Sequence, residues 1–138
     1  MKRQTDEQNT DALTPEAILA GLETKAMGRG EIVYAPVMDS TNTTLKKAAS
    51  ARALPAGSLA VCDRQISGRG RLNRVWEDGG GNEMLPCSLL LRPGLPPEQT
   101  ALVTLAVAVA CAEAIGDFGP EAGIKWPNDV VIGGRKCV

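Results

Sequence analysis

The chain has 138 residues, a formal net charge of −1, 43% hydrophobic and 22% charged residues, which is the size of one domain or part of one, with enough apolar material for a core. The near-neutral balance and sequence pI of about 5.5 argue against broad electrostatic binding to nucleic acid, which needs a basic face. No histidine is present and the cysteines at 62, 87, 111 and 137 lack Cys-x-x-Cys spacing, which argues against a structural zinc site and rules out a Ser-His or Cys-His nucleophile.

Residues 1–30 form a polar opening with one short helix, and 31–138 form the main body. Thr14-Pro15-Glu16 pairs a capping side chain with proline at the first helical position and predicts a helix to about Glu23. Gly28 and Gly30 mark a break. Glu31 to Met38 reads as a strand. Asp39-Ser40-Thr41-Asn42 is dense in capping groups, and Leu45, Ala48 and Ala49 follow at helical spacing, predicting a helix from Thr41 to Arg52. Ser58 to Arg64 is a second strand, Gln65 to Gly81 a long loop, and Met84 to Arg92 a third strand. Glu98 to Ile115 is apolar nearly all round, which predicts a buried helix, with Gly116 as its cap. Short strands are expected at Ile124 to Trp126 and Val130 to Ile132, then a hairpin turn at Gly133-Gly134 and a strand from Arg135. The longest uninterrupted apolar run, Leu105 to Ala112, is short for a bilayer, so no membrane is expected. Free thiols behind a polar start without an apolar signal segment fit the cytoplasm.

Chemistry concentrates in a few places. Arg64 to Arg74 holds four arginines and no acid within eleven residues. Glycines let a backbone approach a ligand closely, and guanidinium forks bind carboxylate and phosphate. The segment reads either as a loop that folds over an anion or as a solvated basic loop. Ser40-Thr41-Asn42 at a helix start is either a polar-ligand site or a plain N-cap. Lys125-Trp126-Pro127-Asn128-Asp129 offers a cation beside a rigid turn, or a tryptophan anchor with an Asn-Asp turn. Lys136 follows Lys125 by eleven residues, and the Gly133-Gly134 turn returns it toward the same end. Neither the Gly-x-x-x-x-Gly-Lys-Ser/Thr loop nor a helix-opening Gly-x-Gly-x-x-Gly occurs.

In this order, the segments resemble the biotin–protein ligase family. The resemblance runs from about Ala35 to Lys136 and rests on Ser40-Thr41-Asn42, on Gln65 before Gly68-Arg69-Gly70-Arg71 and Trp76, on Leu91-Arg92-Pro93, on the Ala/Val-rich helix around Ala106, and on Lys125 to Asp129. It implies an α/β (α+β) fold, a mixed β-sheet with flanking helices of the class II synthetase-like biotin/lipoate ligase type, incomplete at the C-terminus. It implies formation of biotinyl-5′-adenylate from biotin and ATP with Mg²⁺, then transfer of biotin to a lysine of a biotin carboxyl carrier protein. No metal is assigned to protein ligands. By position, Ser40, Thr41 and Gln65 hold the ureido ring of biotin, with Asn42 at the edge of the pocket. Arg69, Gly70 and Arg71 cover the carboxylate and phosphate, and Lys136 contacts both. Gly68, Trp76, Lys125 and Asn128 lie near the phosphates. Catalysis falls to Lys136, Arg69 and Arg71.

Leu72-Asn73 departs from the family pattern, and the Asn82 to Ser88 segment is about two residues longer than the pattern, with Pro86 inside the strand. Some members carry an N-terminal winged helix, for which residues 1–30 are too short, so no nucleic-acid binding is expected. A homodimer of the full-length protein stays open. Three alternatives remain: a lipoate or octanoate ligase relative, a nucleic-acid binder using the basic loop, and a remnant that binds biotin without turnover.

Overall fold

The computed structural model describes residues 13–68, 70 and 84–138. The chain divides into two compact units, Met1–Arg92 and Pro93–Val138.

In the first unit, helix α1 spans Pro15–Gly21, and the Thr14 hydroxyl accepts from the Ala17 N–H at 3.2 Å. The helix ends before the expected Glu23, because Leu22 turns to extended backbone. Strand β1 (Ile32–Met38), helix α2 (Thr41–Ala51) and strand β2 (Leu59–Gln65) follow. β1 and β2 pair in parallel, with Ile32 opposite Leu59 and Met38 opposite Gln65. Parallel neighbours need a crossover, and α2 supplies it. Its apolar stripe packs on the sheet: Leu45, Leu54 and Ala60 form the core, with Val33, Ala48, Ala49 and Leu90 against them. The Arg52 guanidinium pairs with the Glu31 carboxylate across the end of the helix.

The turn into β2 is tightly built. Gly57 has φ +87°, and a Cβ there would lie 2.1 Å from the Ala26 carbonyl oxygen. Its N–H donates to Leu90 O and its own carbonyl accepts from the Gly28 N–H, both at 2.8 Å.

Strand β3 is shorter than the expected Met84 to Arg92: it covers only Cys87–Leu89, antiparallel to β2. Pro86 has no N–H for the ladder, though its carbonyl still accepts from the Cys62 N–H at 3.2 Å. The order β1-β2-β3 is therefore a mixed sheet, as expected.

In the second unit a 3-10 turn, Pro97–Gln99, leads into helix α3, Thr100–Asp117. The helix runs past Gly116; the positive-φ residue after its end is Gly119, at +106°. Three antiparallel strands follow, β4 (Ala122–Lys125), β5 (Asp129–Ile132) and β6 (Arg135–Lys136), as a separate sheet. Trp126 lies in the β4–β5 turn rather than in a strand, and its bond to Pro127 is cis. The β5–β6 turn places Gly133 and Gly134 at φ +55° and +78°, a two-residue hairpin that needs positive φ at both centres.

The reading of α3 as a buried helix is corrected. Among its residues only Ala108 is buried, and Leu102 is 55% exposed. Within the unit the helix contacts β4, β5 and the 3-10 turn, so a single small sheet covers one side of it. Pro97–Asp117 as a whole is long and apolar enough, by length and composition alone, to cross a membrane, although its longest uninterrupted apolar run is short. The core helix of a soluble protein passes the same test.

Candidate functional site

Helix α2 opens at the carboxyl end of β1. Ser40 is its N-cap, with the side chain accepting from the Thr43 N–H at 3.4 Å. Capping explains why this polar cluster starts the helix: it satisfies an amide that has no partner within the first turn. Ser40 and Thr41 are both buried, which is unusual for a plain surface cap.

Gln65, the last residue of the parallel neighbour β2, reaches the same point. Its carboxamide oxygen accepts from the Thr41 N–H at 2.8 Å and from the Thr41 hydroxyl at 3.2 Å. Two segments that sequence reasoning assigned to one pocket are thus joined directly. Asn42, in the first turn of α2, is exposed.

The backbone pairing of β1 and β2 continues past the strands. Ile66 N–H donates to Met38 O at 2.9 Å, and Ser67 N–H to Asp39 O at 2.8 Å. These bonds lead the chain into the glycine–arginine segment beside the start of α2. Gly68 is buried and Gly70 half-buried. Arg69, Arg71 and Trp76 lie outside the described residues.

One contributor was missed. The Thr41 hydroxyl lies 2.9 Å from the Ser88 hydroxyl on β3. Ser88 pairs with Ala60, and Leu90, two residues on, packs into the core under α2. Strand alternation puts Ser88 on that same side. A hydroxyl inside an otherwise apolar strand was the available signal.

In the second unit, Lys125 stands opposite Asp129 across the β4–β5 pair. Lys136, on β6, places its ammonium 2.7 Å from an Asp129 carboxylate oxygen. The hairpin therefore does return Lys136 to the end that holds Lys125, and Asp129 is the residue between them. Asn128 is half-buried in the turn, and Trp126 is 78% exposed.

Two groups on β1 and β2 titrate above their ordinary ranges. Tyr34 donates to Asp63 at 2.8 Å, and that bond, followed by burial, raises its phenol above the usual range. Burial is the main reason the Cys62 thiol titrates higher than usual. All four cysteines are free, and no group of three or more Cys, Asp or Glu side chains suited to a metal occurs among the described residues.

Comparison with known proteins places the chain in a family. The family model for the biotin/lipoate A/B protein ligases matches residues 34–138. The chain is 42% identical over 127 residues to the bifunctional ligase/repressor BirA of Bacillus subtilis, covering 91% of this chain and 38% of that protein. It is 37% identical over 101 residues to the biotin–[acetyl-CoA-carboxylase] ligase of Paracoccus denitrificans, covering 71% of this chain and 40% of that one. A solved Helicobacter pylori biotin acetyl coenzyme A carboxylase synthetase with bound biotinylated ATP superposes with a TM-score of 0.60 at 28% identity, over 77% of this chain and 51% of that one. The Aquifex aeolicus biotin protein ligase in complex with biotin and ATP gives a TM-score of 0.54 at 27% identity, over 77% and 43%. The chain thus spans about two fifths of the length of these curated relatives.

Proposed function

The chain belongs to the biotin/lipoate A/B protein ligase family, and on that premise we propose that its protein activates biotin with ATP and transfers it to a lysine of a biotin carboxyl carrier protein. The observation that carries this reading is the junction of Thr41 with Gln65. It gathers hydrogen-bonding groups from two distant motifs at one buried point, as a small polar ring requires.

In the first step a biotin carboxylate oxygen attacks the α-phosphorus of ATP. The bond to the β-phosphate bridge breaks, and pyrophosphate leaves. In the second step the carrier lysine amine attacks the acyl carbon, loses a proton, and AMP leaves. Neither step uses an enzyme nucleophile, in keeping with a chain that has no histidine. The barrier to the first step is the meeting of two anions, so the work is positioning and charge stabilisation. We assign Ser40, Thr41 and Gln65 to the ureido ring, with Asn42 at the edge of the pocket. Arg69, Gly70 and Arg71 are assigned to the carboxylate and α-phosphate, and Lys136 to the developing charge in both steps. Gly68, Trp76, Lys125 and Asn128 are assigned to the phosphates. Mg²⁺ enters with ATP as part of the nucleotide substrate. A cytoplasmic location belongs to the proposal and is supported by the four free cysteines.

The family description also includes lipoate ligases, which makes lipoate or octanoate the second reading. The Paracoccus denitrificans relative and both solved structures above are biotin enzymes by name, which favours biotin. The deciding test supplies the full-length protein with ATP, Mg²⁺ and a biotin carboxyl carrier domain. Biotin should add one biotinyl mass to the carrier. Acylation with lipoate or octanoate but not with biotin would transfer the assignment to the second reading.

A further inference from the structure

We propose that Ser88 is a positioning residue that sets the hydrogen-bonding sense of the vitamin pocket through Thr41; this rests on the assignment of Thr41 and Gln65 to biotin. The chain of contacts has a direction that elementary chemistry fixes at Gln65. A backbone N–H can only donate, so the Gln65 atom that meets the Thr41 N–H at 2.8 Å is the carboxamide oxygen. That oxygen can only accept, so the Thr41 hydroxyl, 3.2 Å away, donates to it as well. A hydroxyl has one proton to give. Either hydroxyl could donate across the 2.9 Å contact between Thr41 and Ser88; with the Thr41 proton given to Gln65, we take it to run from Ser88 as donor to Thr41 as acceptor.

Two consequences follow for a ligand. The Gln65 oxygen is occupied by two donors, so the carboxamide offers its NH₂ and recognises a carbonyl-type acceptor. The Thr41 oxygen has given its proton and taken one from Ser88, so a single lone pair remains, and it recognises an N–H. An acceptor site beside a donor site is the pattern of a cyclic urea, which presents both C=O and N–H. Ser88 holds this pattern in place. Without it, the Thr41 hydroxyl regains a free lone pair and loses a restraint on its orientation, while its own group is only 4% exposed and short of water to substitute. Linked hydrogen bonds of this kind also polarise one another, so removing the first donor weakens the next.

Ser88 stands on β3 facing α2 and is half-buried. Its effect on the pocket passes through Thr41. The test is titration calorimetry of the full-length protein with biotin, with melting temperature and the KM for ATP measured alongside. Ser88→Ala should weaken biotin binding roughly three- to tenfold, the usual effect of losing one hydrogen bond. The KM for ATP should stay close to that of the unmodified protein, and the melting temperature should fall only by the few degrees that one part-buried hydrogen bond accounts for. Ser88→Thr, which keeps a hydroxyl and suits a strand, should restore binding. In a Thr41→Val background, Ser88→Ala should cost nothing more, because the receiving oxygen is gone. Undiminished binding in Ser88→Ala would overturn the inference and leave the biotin assignment standing. A full additional loss in the Thr41→Val background would also overturn it, since Ser88 would then act without Thr41. Absence of biotin binding in the unmodified protein would defeat the underlying assignment and this inference with it.

Discussion

Thr41 shows how much of a site can depend on one residue. Its amide starts a helix, its hydroxyl meets Gln65 and Ser88, and its side chain is buried. The sequence named Thr41 and Gln65 because they belong to separate motifs. It could not name Ser88, because the contact depends on a strand pairing 47 residues away in the chain. Lys136 is the charged counterpart in the second unit. Its side chain is 44% exposed, and its pair with Asp129 is accessible to solvent, so the pair contributes about 0–1 kcal/mol to stability. Lys136→Ala should therefore reduce adenylate formation on the order of a hundredfold or more while barely changing the denaturation midpoint. Equal losses of fold and of activity would remove Lys136 from its assigned role. Cys62 yields a separate expectation. It is fully buried, and burial raises its thiol, so the reactive thiolate is scarce near neutral pH. On treatment with iodoacetamide at pH 8, Cys137, which is exposed, should be alkylated well before Cys62. Mass spectrometry showing equal rates would contradict the packing of β2.

At the scale of elements, local rules worked where local forces dominate. The Thr14-Pro15 start of α1, the Ser40 cap of α2 and the double-glycine turn before β6 were all legible, because each depends on the conformation of a few adjacent residues. The length of β3 was not legible. Apolar residues continue to Leu91, but pairing is limited by the partner strand and by Pro86. The burial of α3 was misjudged for a similar reason: an apolar composition shows that a helix can be buried, and its neighbours decide how much of it is. The Ser40 cap has a measurable consequence. Ser40→Ala should cost about 1 kcal/mol of stability and also weaken biotin, whereas Ser40→Asn should retain the cap. A stability loss in both variants alike would mean that the cap is not what holds the start of α2. The β2 turn gives another. Gly57→Ala places a Cβ against the Ala26 carbonyl in left-handed backbone, and should destabilise by about 1–3 kcal/mol. An unchanged chemical denaturation midpoint would contradict the tight packing of Gly57 against Ala26.

At the scale of the whole molecule, the two units carry different parts of the proposed chemistry. The first presents hydrogen-bonding groups for a neutral ring, at the end of a parallel β1–α2–β2 crossover. The second presents cations on an antiparallel hairpin, at Lys125 and Lys136, with Asp129 between them. The mixed sheet was expected from the family resemblance and is present. The separate antiparallel sheet was not foreseen as a sheet of its own, although its strands were, since short apolar runs do not reveal their partners. What unites the chemistry is the reaction class, and that is tested most directly by isotope exchange between pyrophosphate and ATP, catalysed by the full-length protein. Exchange should require biotin, and should fall sharply in Gln65→Ala and Lys136→Ala. Exchange absent with biotin, or driven by lipoate or octanoate instead, would contradict a biotin ligase.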